Sequence, residues 1–278
     1  EGLIRSTVFD HFCGGVNEND CLRVVDKMYT KGVSSVLDYS VEGKEEEAQF
    51  DAALNMTLKT IEFAREREAI PFAVFKPTGF GRLALYEKVG EKAYLTENEQ
   101  KEWNRVIERF DIACKTAFEK DVLLLIDAEE SWMQDAADAI VTDMMRKYNK
   151  QKAIVFNTLQ MYRWDRLDYL KNLHEQAKAE GYYIGMKLVR GAYMEKENER
   201  AAERGQKSPI CISKEATDIN YDAAVSYMVD HLDIMAVFAG THNEESSYKL
   251  MQKKKKKGIA KNDKRIFFGQ LLGMSDNI

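Results

Sequence analysis

The chain has 278 residues, 45% of them hydrophobic, and its 41 Lys and Arg against 46 Asp and Glu give a formal net charge of -5. That apolar content supplies a real core, and the mild acidity argues against a nucleic-acid role. Four cysteines, Cys13, Cys21, Cys114 and Cys211, contain no CxxC pair, which points to free thiols in a reducing, cytoplasmic setting rather than a disulfide frame or structural zinc site. No apolar run reaches membrane-span length, the first residues carry no signal-peptide pattern, and no linker is visible, so one domain over 1–278 is expected.

In chain order, residues 1–15 read as irregular, with His11 between Phe9 and Phe12 as a structural histidine. Asn17 or Asn19 can cap a helix with Leu22, Val25 and Tyr29 on its apolar face, ended by Gly32. Val33 to Tyr39 is predicted as strand one. The acidic run Lys44 to Glu47 leads into a helix burying Phe50, Leu54, Ile61 and Ala64 at three-to-four spacing. Phe72 to Phe75 is strand two, with Lys76-Pro77 at its carboxyl end. Thr96-Glu-Asn-Glu99 is a capping box for a helix burying Trp103, Val106, Phe110 and Ala113. Strand three is Val122 to Ile126, before Asp127-Ala128-Glu129-Glu130. A helix with Ala137, Ile140, Val141, Met144 and Tyr148 follows, and strand four is Ile154 to Phe156, closing on Asn157 and Gln160. Leu167, Leu170, Leu173 and Ala177 form the next helix face, stopped by Gly181. Strand five is Tyr183 to Val189, strand six Met235 to Ala239, and strand seven Ile266 to Phe268.

Continuous apolar strands alternating with helices imply parallel pairing buried on both faces. Polar residues at the carboxyl ends of strands two to seven favour a (β/α)8 barrel over a doubly wound sheet, which gathers its site at one switch point. The first βα turn also lacks G-x-G-x-x-G. The barrel is one strand short at Ile278, and seven strands would leave an edge between strands one and seven.

Strand five carries the chain's most informative stretch, Gly185 to Glu197. Lys187 and Arg190 are cations in a buried run, and Gly191 breaks it, which suggests an anionic ligand over the sheet. Lys76, Asp127, Lys187 and Arg190 with His242 and Asn243 then converge on one mouth. A metal site from Asp127, Glu129 and His242 lacks His at ligand spacing, and no nucleophile elbow is present. Lys187 as a Schiff-base lysine, or cations holding a pyrophosphate, both stay open.

Lys187-Leu-Val-Arg-Gly-Ala-Tyr193 followed by an acidic helix resembles the core of proline dehydrogenase, the PutA-type barrel family. The resemblance continues in Phe75-Lys76-Pro-Thr, Ile126-Asp127-Ala-Glu-Glu, Asn157-Thr-Leu-Gln160, Thr217-Asp218, Thr241-His-Asn-Glu-Glu245 and Gly269-Gln-Leu-Leu-Gly-Met-Ser-Asp276, in family order from about Thr7 to the last residue. It implies a distorted (β/α)8 TIM-like barrel with FAD across the strand ends. It also implies hydride transfer from carbon 5 of L-proline to FAD, a quinone acceptor, and peripheral contact with the inner membrane. By resemblance, Lys76 pairs with the proline carboxylate and Asp127 organises the polar network at the flavin. Lys187, where many bacterial members have Arg, lies beside flavin N5. Ala128, Val189, Arg190, Gly191, Ala192 and Tyr193 wrap the flavin, and Asn157 and Gln160 hydrogen-bond its ring. Lys214, Thr217, Thr241, His242 and Asn243 hold its ribityl, pyrophosphate and adenosine parts. Lys253 to Lys257 reads as a solvated helix end stopped by Gly258. The family's eighth strand and Arg-Arg-x-x-Glu helix have no counterpart here, which leads us to expect a longer parent protein in which that helix clasps the proline carboxylate. A cofactor-free lyase using Lys187 and a catalytically inactive ligand-binding barrel are the alternatives.

Overall fold

The computed structural model describes residues 14–15, 17–38 and 44–274. His11, Cys13, Tyr39, Ser275 and Asp276, for which the sequence carries expectations, lie outside them. Helix α1 (Glu18–Tyr29) starts where the Asn17 side chain accepts from the backbone of Asn19 and Asp20. Strand β1 (Val36–Leu37) leads to α2 (Glu47–Arg65), which buries Phe50, Leu54, Ile61 and Ala64. Strand β2 (Phe72–Phe75) runs through a 3-10 turn at Pro77–Gly79 into α3 (Leu83–Gly90), and α4 (Glu97–Lys120) opens on the reciprocal Thr96–Glu99 capping box. There follow β3 (Leu123–Ile126), α5 (Ser131–Tyr148), β4 (Val155–Gln160), α6 (Arg166–Glu180), β5 (Ile184–Val189), α7 (Met194–Glu203), α8 (Lys214–Asp230), β6 (Met235–Gly240), α9 (Glu244–Lys256) and β7 (Ile266–Gly269).

Among the described residues these strands form one parallel sheet in the order β1 to β7, and no ladder joins β1 to β7. The sheet is nonetheless curled. Phe72 of β2 lies 4.8 Å, ring to ring, from Phe267 of β7, 5.3 Å from Phe238 of β6 and 5.6 Å from Phe156 of β4. Strands two and seven of a flat sheet would stand about 24 Å apart at the usual strand spacing. The edge-on rings therefore fill the inside of a nearly closed barrel, and three of them come from alternate strands, as barrel layers do. Gly185 makes room for this floor, since a Cβ there would stand 2.6 Å from the Phe156 ring. The residues on the other face of the strands, Ala73, Leu124, Leu159, Met186, Leu188 and Val237, pack outward under the helices in the main core.

Two strands differ from expectation by more than one residue. Among the described residues strand one covers Val36–Leu37 of the expected Val33–Tyr39, because Ser35 spends its N–H on the Ala69 carbonyl; Tyr39 lies outside them. Strand four grows from Ile154–Phe156 to Val155–Gln160, because β5 pairs with it through Gln160↔Val189. Asn157 and Gln160 thus lie within the strand, where their polar side chains hide the period from an apolar-run criterion.

Candidate active site

Register and alternation place the charged residues. β2 pairs with β3 up to Phe75↔Ile126, β3 with β4 at Leu125↔Phe156, and β4 with β5 at Thr158↔Lys187. Carried on in step, Lys76, Asp127, Thr158 and Lys187 form one row across four neighbouring strands. Their strand-mates Val74, Leu125 and Phe156, two residues earlier, belong to the interior cluster, so the row points into the barrel. The row is tied together. Lys187 Nζ donates to Asp127 Oδ1 at 2.6 Å, reaching over β4, and Thr158 Oγ1 donates to the Ile126 carbonyl at 2.8 Å. Both members of the ion pair are largely screened from solvent, with side chains 19% and 16% exposed.

Gln160 lies one step further up the same face of β4. Its amide nitrogen reaches the Ala128 carbonyl at 3.5 Å, whereas its buried Oε1 has no partner among the described residues. Such an orphaned acceptor normally has a donor from water or a ligand. Val189 faces the same side. Asn157 does not, because the alternation of β4 turns it outward, where Nδ2 donates to Asp138 Oδ1 at 2.8 Å. Asp138 also receives Gln134 and Arg166, and this buried network supports the strand from beneath. The structure therefore separates Asn157 from the mouth.

Beyond β5 the chain turns at Gly191, whose φ of 135° and 2.5 Å Cβ approach to the Tyr162 ring exclude a side chain. Ala192 is exposed and Tyr193 half-buried at the start of α7. Arg190 is fully engaged: Nε donates to Asp218, Nη1 to Thr241 Oγ1 and Nη2 to Ser246 Oγ, while its guanidinium lies 4.4 Å from the Tyr221 ring centroid. Burial works to raise Asp218, but Lys214 and Arg190 hold its carboxyl below the usual range. Lys214 is itself exposed, 2.6 Å from Asp218. Thr217 is buried and donates to the Ser213 carbonyl, within its own helix. Asn243 caps α9, accepting from Ser246, and His242 Nε2 accepts from the backbone of Leu271 while buried Nδ1 has no partner among the described residues. Glu129 and His242 bond elsewhere, so the Asp127, Glu129 and His242 set does not converge as a metal site would require.

Residues outside the expected flavin and substrate set stand between these groups. Glu129 is 2% exposed and accepts from Thr78 N at 2.9 Å and Thr78 Oγ1 at 2.5 Å, tying the turns after β2 and β3. Burial pushes its carboxyl up to about 7, against the Thr78 bonds. Its place in the Asp-Ala-Glu-Glu block was the available signal. Asp218, Tyr221 and Ser246, which anchor Arg190, carried none beyond the Thr217-Asp218 pair. Lys253 and Lys257 at the end of α9 are paired with Asp230, and Lys254 is buried and donates to the Lys261 carbonyl.

The proline dehydrogenase family model matches residues 21–278. The chain belongs to the proline dehydrogenase family. CarD of Pectobacterium carotovorum, a carbapenem antibiotics biosynthesis protein, is 35% identical over 100% of this chain and 72% of its own length. Human mitochondrial proline dehydrogenase 1 is 38% identical over 66% of this chain and 31% of its own. The structure of proline utilization A (PutA) from Bdellovibrio bacteriovorus, inactivated by N-propargylglycine, superposes with a TM-score of 0.83 at 19% identity, covering 99% of this chain and 30% of that one. That likeness gives this proline dehydrogenase-family chain the TIM-like barrel fold, here a curled sheet of β1 to β7. The chain spans less than a third of the human relative and of the PutA chain.

Proposed function

We propose that this chain oxidises L-proline to Δ1-pyrroline-5-carboxylate on a resident FAD and passes the electrons to a quinone. The observation that carries the reading is the inward row Lys76, Asp127, Thr158 and Lys187, closed by the 2.6 Å Lys187–Asp127 pair below the orphaned Gln160 acceptor. An ammonium, a carboxylate and an unpaired amide oxygen suit a heteroaromatic ring that carries both donors and acceptors, so the residues fit a flavin. When bound, FAD would supply the acceptor for the hydride leaving carbon 5 of proline, with the amine proton lost to solvent.

Lys187 keeps a positive charge at the mouth, where negative charge develops on reduction, and Asp127 orients it. Lys76, next in the row, is placed to hold the substrate carboxylate. Gln160 presents an acceptor from the strand, and Ala128 and Val189 give the ring apolar contact. Arg190 braces the Gly191-Ala192-Tyr193 turn against Asp218, Thr241 and Ser246, which leaves the backbone and Lys214, Thr241, His242 and Asn243 to meet the far part of the cofactor. Thr217 stiffens the first turn of α8. Asn157 contributes through Asp138 and not by touching the ring. Among the described residues no helix is long and apolar enough to cross a membrane; delivery of electrons to a membrane quinone would be a peripheral contact in this reading.

The test is an absorption spectrum of protein purified with ample FAD, taken with and without proline. A flavin band that bleaches with proline is expected. Colourless protein trapped by borohydride with a carbonyl substrate would instead establish the Lys187 lyase, and a band that proline leaves unbleached would mark an inactive barrel.

A further inference from the structure

Helix α7 begins three residues after Gly191 and carries a buried acid that the proposed chemistry does not use. Glu197 is 2% exposed, and its two carboxylate oxygens accept from Ser131 N and Ser131 Oγ, each at 2.6 Å. Ser131 is the first residue of α5, and the preceding Glu130 makes no side-chain cap. An N–H in the first helical turn has no partner of its own and favours an acid. Here a different helix supplies it. Beside this contact Lys196 donates to Glu130 at 3.0 Å, and Arg200 pairs with Glu87 while its guanidinium lies 4.3 Å from the Trp132 ring centroid.

The topology of this contact is informative. Asp127 and Ser131 bound the loop after β3, and Lys187 and Glu197 bound the turn and first part of α7 after β5. One end of that pair of segments is closed by Lys187–Asp127 and the other by Glu197–Ser131. The two contacts make a ring that passes over the end of β4, where Gln160 Oε1 is buried without a partner among the described residues. Among the described residues of α7 only Glu197 and the small Ala201 are buried, so the clasp adds to a slight apolar contact.

We infer that Glu197 is the positioning residue of the mouth, holding α7 and the Gly191–Tyr193 turn in place by capping α5. The inference rests on the proposed flavin site only for its functional readout. Removing the clasp frees the turn while leaving Lys187, Asp127 and Arg190 chemically intact.

The test compares wild type with Glu197→Ala, Glu197→Gln and Glu197→Asp, measuring FAD affinity by fluorescence and hydrogen exchange of the proteins as purified. For Glu197→Ala the FAD Kd should rise tenfold or more. Exchange should quicken in Gly191–Lys196 and Ser131–Gln134, with the barrel strands unchanged. Glu197→Gln, whose amide oxygen still accepts from the Ser131 N–H, should recover to within about threefold of wild type. Glu197→Asp, too short to reach both donors, should fall between them and serves if the alanine variant does not fold. Wild-type exchange in those two segments of Glu197→Ala, or of Glu197→Asp in its place, overturns the inference. A wild-type chain that binds no FAD overturns the proposed function instead, and the exchange measurement still decides the clasp.

Discussion

Glu129 and Thr78 are joined by two hydrogen bonds, at 2.9 and 2.5 Å, so the turn that carries Lys76 and the turn that carries Asp127 move as one. Burial raises the Glu129 carboxyl from the ordinary 4.5 to about 7. Between those two values the native state binds more protons than the unfolded chain, so stability is full below about 4.5 and falls as pH rises to about 7. The loss is on the order of 3 kcal/mol at one pKa unit per 1.36 kcal/mol. Glu129→Gln keeps an acceptor for Thr78 and removes the titration. Urea unfolding of that variant should therefore show a flatter profile between pH 5 and 7.5 than wild type. An unchanged slope would place its source elsewhere.

Lys187→Met removes the cation of the Asp127 pair and leaves a screened carboxylate without its partner. Loss of one preorganised charged donor costs about a hundredfold in rate. Stopped-flow reduction of bound FAD by proline should slow by about that factor. Reduction at the wild-type rate would take Lys187 out of the chemistry.

Lys76→Ala should weaken carboxylate ligands and spare the cofactor, because Lys76 lies in the row but outside the Asp127–Lys187 pair. A charge-assisted contact is worth about 1.5–3 kcal/mol, so competitive carboxylic-acid analogues of proline should bind about ten- to a hundredfold less tightly. The flavin spectrum should be unaltered. Equal analogue affinity in both proteins would exclude Lys76 from the substrate site.

Phe72→Ala empties the place where rings from β4, β6 and β7 meet. A cavity from a large aromatic in a packed interior costs about 3–5 kcal/mol. Urea unfolding should show that loss. A cost under about 1 kcal/mol would mean that the four rings do not form one floor.

The alternating apolar strands and helical faces determined the α/β class, the parallel pairing and most element boundaries. These are local signals, set by side-chain period and by caps such as Thr96–Glu99 and Asn17. The blocks around Lys76, Asp127 and Lys187 were legible for the same reason: each cation or acid follows or interrupts an apolar run that cannot bury it alone. Tertiary structure decided what touches what. Register, which depends on partner strands and not on the strand itself, put Lys76, Asp127, Thr158 and Lys187 in one row. The pleat of β4 turned Gln160 inward and sent Asn157 out to Asp138, a difference that residue type cannot reveal. The contacts that brace the mouth join residues far apart in the chain, Thr78 to Glu129, Ser131 to Glu197 and Arg190 to Thr241 and Ser246. No pattern along one strand or helix encodes them. They exist because the curled sheet brings the carboxyl ends of its strands to a common rim, where polar side chains largely screened from water meet each other.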